Sequence, residues 1–118
     1  MTDNGVSPST TFDLAEEAQL LRDSSLWQER GQNSRTLLKL PGFRLVMIAL
    51  KSGHQIQRHQ TDLRLNLSTL SGHVQLTVGD DVLDLPAGHV LVLDPATPHD
   101  VAALEDSVIL LALSGATT

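Results

Sequence analysis

Apolar and polar positions alternate along most of this chain with a period near two, and turn residues punctuate the alternation at short intervals. From Gln32 onward the runs Arg35 to Leu40, Phe43 to Leu50, Gln55 to His59, Leu63 to Leu70, His73 to Val78, Asp81 to Leu85, Val90 to Leu93, Asp100 to Ala103 and Ser107 to Leu113 read as strands. Between them stand Pro41-Gly42, Ser52-Gly53, Ser71-Gly72, Gly79-Asp80-Asp81 and Pro86-Ala87-Gly88, all turn chemistry. Short strands joined this way predict an all-β, antiparallel jelly-roll barrel. Phe43 to Leu50 is apolar on both faces, so one face fills the interior and the other must meet a second sheet or a second subunit. This strand is a reason to expect a homodimer.

Before Gln32 the period changes. Asp13 followed by Glu16 reads as a capping box, and Leu14, Ala18 and Leu21 recur at helical spacing, predicting a short helix from about Asp13 to Arg22. Ser24-Ser25 interrupts it, and Leu26-Trp27 starts a further turn that ends at Gly31. Trp27 is expected to clip this segment onto the barrel by packing. The organisation predicted is a disordered tail over 1–11, a helical segment over 12–31, the barrel over 32–114 and a C-terminal tail over 115–118.

A chain of 118 residues suits one domain and buries roughly 65% of its unfolded surface. The formal net charge is −6, no Lys/Arg block exists, and the aromatics are Phe12, Phe43 and Trp27; this argues against nucleic acid. Without cysteine, disulfides, thiolate nucleophiles and Cys metal ligands are excluded. The longest apolar runs are too short to span a bilayer, and no signal-peptide pattern opens the chain, so a cytoplasmic protein without membrane partners is expected.

The stretch from Gly53 to His99 resembles the paired motifs of the cupin superfamily. Gly53, then His59 after five intervening residues, and finally Gly72 fall in the register of the first motif, and His99 in that of the second. Thr61 stands at the second histidine of the first motif and Leu65 at its glutamate. In the second motif Asp94, Ala96 and Ala103 replace the proline, the inner glycine and the asparagine. The resemblance spans about Arg35 to Leu113 and implies an RmlC-like cupin barrel with a degenerate metal site. In metal cupins three histidines and a carboxylate hold a divalent transition metal, and only His59 and His99 correspond here. Thr61 and Gln57, the latter two residues before His59 and expected on the same strand face, are weak substitutes.

With Leu65 and Leu67 expected inside the barrel, and Met47 from the apolar run, the ligand pocket predicted from the sequence comprises Gln57, His59, Thr61, Leu65, Leu67, Met47 and His99. His54, His73 and His89 lie beside glycine turns and are expected at the surface; Asp100 should point away from His99. Three functions compete. The first is a small-molecule-binding cupin whose apolar pocket carries two histidines at its rim. The second is a metal-dependent cupin enzyme of dioxygenase or isomerase type that uses His59 and His99. The third is a metal-free, epimerase-like acid/base cupin, for which no carboxylate is evidently placed to orient either histidine.

Overall fold

The computed structural model describes residues 8–115, without the side chains of Arg58 and His59. The expected tails over 1–11 and 115–118 therefore fall partly outside the described residues; residues 8–11 carry no helix or strand. Helix α1 runs over Leu14–Asp23, and its N-cap is Asp13, whose carboxylate accepts from the Glu16 N–H at 3.1 Å. Helix α2, Ser25–Arg30, is capped by Ser24 and stops at Gly31, whose left-handed backbone (φ 78°) is the usual helix terminator. No helix among the described residues is long and apolar enough to cross a membrane.

Among the described residues nine strands follow: β1 Gln32–Leu40, β2 Phe43–Leu50, β3 Gln55–His59, β4 Arg64–Ser71, β5 His73–Val78, β6 Asp81–Pro86, β7 Val90–Leu93, β8 His99–Ala103 and β9 Ser107–Ser114. They make a five-stranded sheet in the order β1-β2-β9-β4-β7 and a four-stranded sheet in the order β3-β8-β5-β6, antiparallel throughout. Among the described residues the ladders do not run from one sheet into the other, so the expected barrel is two stacked sheets rather than a closed ring of strands. The core lies between them: Leu65, Leu67, Leu111 and Ile109 from one sheet meet Val74, Leu76, Leu85 and Val101 from the other. Burying each of these side chains contributes about 2 kcal/mol. Thr69, also buried, ties the layers by donating its hydroxyl to the Leu85 carbonyl at 2.8 Å.

The doubly apolar strand β2 divides as alternation requires, but its second face is not left for another chain. Val46, Ile48 and Leu50 face the core, whereas Met47 and Ala49 pack with Ala18, Leu21, Trp27 and Val108 under α1 and α2. Met47 is thus not a pocket residue. From Leu45 to Leu50 every position is apolar, so alternation within that stretch does not say which set faces inward. The helices bury Met47 and Ala49 without a second subunit, which removes the ground on which β2 suggested a homodimer. Trp27 anchors the helical segment as expected, and the Lys51 ammonium lies 4.8 Å from its ring centroid.

Candidate functional site

The inner face of the five-stranded sheet changes character across its width. Registered rows read Ser34, Ile48, Ile109, Thr69; then Thr36, Val46, Leu111, Leu67, Leu91; then Lys39, Arg44, Leu113, Leu65, Leu93. The β9, β4 and β7 ends of these rows are closed over by the four-stranded sheet. The β1 and β2 ends overhang it, leaving Val46 and Ile48 only half-buried and Ser34, Thr36 and Arg44 exposed. The result is a cleft of about 540 Å³ between the sheets, within the usual range for small-molecule sites. Its floor is Val46, Ile48, Ile56, Leu67, Val101, Ile109, Leu111 and Leu113, and its polar rim is Gln32, Ser34, Thr36, Arg44, Gln60, Thr61 and His99.

His99, Thr61 and Leu67 therefore line one cleft. His99 is 4% exposed, and its Nδ1 lies 3.0 Å from the Thr97 carbonyl. A carbonyl only accepts, so Nδ1 carries a proton and the ring orientation is fixed. His99 also walls a second crevice of about 400 Å³, lined with Thr77, Gly79, Pro98 and Asp100. Asp100 falls on the opposite face of β8, as expected: His99 and Val101 are buried and Asp100 is half-buried. Thr61 Oγ1 accepts from the Leu63 N–H at 3.2 Å, and the Thr61 carbonyl accepts from the Ala96 N–H at 2.8 Å, tying the loops after β3 and β7 together beside the rim. Leu65 is buried in the core one row from Leu67.

Gln57 is not brought to the cleft. Ile56 pairs with Val101 and His59 with His99, so three steps on β3 oppose two on β8 and one residue is extra. That bulge breaks the alternation that placed Gln57 and His59 on one face. Gln57 is exposed and donates to Gln55 Oε1 at 3.1 Å, while Ile56 points into the cleft. For His59 the backbone register alone is described, directly opposite His99. His54 is half-buried rather than solvated, with Nε2 2.8 Å from Gln32 Oε1; His73 pairs with Asp84 at 3.2 Å, and His89 is exposed.

The donors described do not fit a divalent transition metal. At the position of the anionic ligand, Leu65 buries a hydrocarbon, and the Thr61 hydroxyl is engaged by a backbone N–H. Among the described residues no group of three or more His, Asp or Glu is placed to hold a metal ion. A stable site needs at least three protein ligands.

Sequence reasoning missed Arg44, Ser34, Thr36, Gln32 and Gln60. For Arg44 a signal existed: it shares parity with Val46, Ile48 and Leu50, so the residue that interrupts the apolar run belongs to its inward set.

No protein-family model and no curated protein matches the chain. Solved structures do. A conserved protein of unknown function from Streptococcus pyogenes superposes with a TM-score of 0.72 at 21% identity, over 98% of this chain and 95% of that one. An RmlC-like cupin protein from Desulfovibrio desulfuricans gives 0.67 at 23% identity, over 97% and 96%. Salicylate 1,2-dioxygenase from Pseudoaminobacter salicylatoxidans gives 0.78 at 12% identity, over 95% of this chain but 40% of that one. These are β proteins of one architecture, and the chain has the cupin fold.

Proposed function

We propose that this cupin-fold chain binds a small, largely apolar molecule in the cleft between its sheets, with His99 and Thr61 at the rim. The observation that carries this reading is the pair Val46 and Ile48, aliphatic side chains on the inner face of a core strand that the second sheet leaves half-open. Such surface gains roughly 25 cal/mol per Å² when a ligand covers it. An RmlC-like cupin and a salicylate 1,2-dioxygenase among the neighbours in fold support a small-molecule reading, and fold alone assigns no reaction.

The test is calorimetric titration with 1-octanol against the wild-type chain and Val46→Trp, whose indole fills the cleft. Saturable binding lost in the variant supports the reading. No saturable binding to the wild type, or equal binding to both, refutes it.

A further inference from the structure

We infer that the ligand of this cleft is an amphiphilic anion, a small carboxylate or sulfonate on a hydrocarbon body, whose oxyanion is held at the mouth by Arg44 and Lys39. This rests on the cleft reading above and adds the charge and orientation of its occupant.

Arg44 lines the cleft beside Val46 and pairs directly with Lys39 across the β1–β2 ladder. Residues directly opposite in an antiparallel pair share a face, and like charges so placed repel. The chain has ample means to avoid this. It carries 14 Asp and Glu against 8 Lys and Arg, and two of the cations are matched, Arg35 with Glu17 at 3.1 Å and Arg64 with Asp94 at 2.7 Å, while Arg22, Arg30 and Lys51 have no ion pair among the described residues. Neither Lys39 nor Arg44 has an ion-pair partner within 4.0 Å among the described residues. Both also line a small hollow of about 190 Å³ with Leu40, Gly42, Phe43 and Leu63, which opens at the same end of the sheet.

Two facing cations at the end of an apolar trough form an electrostatic site for one oxyanion, and the guanidinium can engage it through two parallel N–H donors. Row order fixes the direction of the ligand. From Arg44 the inner face continues through Leu113 and, one row over, through Val46 and Leu111, so the hydrocarbon body runs inward and the anion stays at the solvent edge. Ser34 and Thr36, exposed on β1 at the rim, supply hydroxyls along that path.

Octanoate, 1-octanol and octylammonium chloride, titrated calorimetrically at low salt, test this. Octanoate is expected to bind about tenfold tighter than 1-octanol, and octylammonium more weakly than either. Arg44→Ala and Lys39→Ala each weaken octanoate and narrow its advantage over 1-octanol, whereas Arg22→Ala, on α1, leaves that advantage at its wild-type value. Without ligand, either cleft-mouth variant melts no lower than the wild type, because a repulsion has been removed; this melt also verifies folding. Equal affinities for octanoate and 1-octanol, or octanoate binding unaffected by Arg44→Ala, would overturn the anion assignment while leaving the cleft standing. No saturable binding of any of the three overturns both.

Discussion

Replacing Gly72 by alanine tests how tightly the β4–β5 turn is built against the β8–β9 loop. Gly72 has φ +83°, and a Cβ there would lie 2.3 Å from both the Asp106 carbonyl oxygen and Ser107 Oγ, and 2.7 Å from Ser107 Cα. Two of those atoms are backbone, and the Ser107 hydroxyl is already committed, accepting from the His73 N–H at 3.0 Å and donating to the Glu105 carbonyl at 2.7 Å. The neighbours cannot step aside cheaply. A left-handed alanine costs about 1–2 kcal/mol, overpacking about 1–3 kcal/mol, and the stiffer unfolded chain returns about 0.4–1 kcal/mol. The net is roughly 2–4 kcal/mol of lost stability, a large part of what a domain of this size has. Gly88 is the control: its φ is +88° and nothing lies within 4 Å of its would-be Cβ. Gly88→Ala therefore carries the backbone term alone. Urea unfolding followed by circular dichroism and by Trp27 fluorescence measures both variants. If Gly72→Ala falls within about 0.5 kcal/mol of Gly88→Ala, the contact argument is wrong.

Three further outcomes are expected. Ala96, with φ 62°, stands where the resemblance places a glycine; Ala96→Gly should stabilise by a few tenths to about 1 kcal/mol in the same assay, the strain relieved exceeding the added unfolded entropy, and a loss of stability would contradict it. Met47→Ala should cost about 2–5 kcal/mol through a cavity under the helices, yet leave the 1-octanol affinity unchanged; weakened binding would return Met47 to the cleft. After loading with excess manganese, iron, nickel, copper or zinc and desalting, elemental analysis should find well under one ion per chain, and near-stoichiometric metal lost in both His59→Ala and His99→Ala would show that the described donors had been misjudged.

Most of the fold is legible from local pattern. Asp13, Ser24 and Gly31 bound the two helices as their chemistry dictates, and alternation in β4 correctly sends Leu65, Leu67 and Thr69 inward. What alternation cannot deliver is phase across Leu45 to Leu50, where every position is apolar, and so Met47 falls on the helix side of β2 rather than in the cleft. Nor can it foresee one extra residue in a short strand, which turned Gln57 outward from β3. Whether strands close into a ring depends on pairing between elements far apart in sequence, which no local pattern encodes. Arg44 escaped for a different reason: within Phe43 to Leu50 it reads as an exposed interruption, and its meaning depends on β1 overhanging the opposite sheet.

The substitutions at the motif positions and the cations at the mouth point the same way. A carboxylate inside a cup favours a bound cation; here Leu65 supplies hydrocarbon where the resemblance places one, and the same registered row ends in Arg44 and Lys39. The field along that row favours an oxyanion over a cation. Because both cations are solvent-exposed, the attraction is screened by salt, with a Debye length near 30 Å at about 0.01 M and about 3 Å at 1 M. Octanoate affinity should therefore fall several-fold between those ionic strengths while 1-octanol affinity holds or rises, since burial of its chain carries no charge to screen. If octanoate instead holds its affinity at high salt, the binding is hydrophobic alone, and the reversal of charge across this row has no functional consequence.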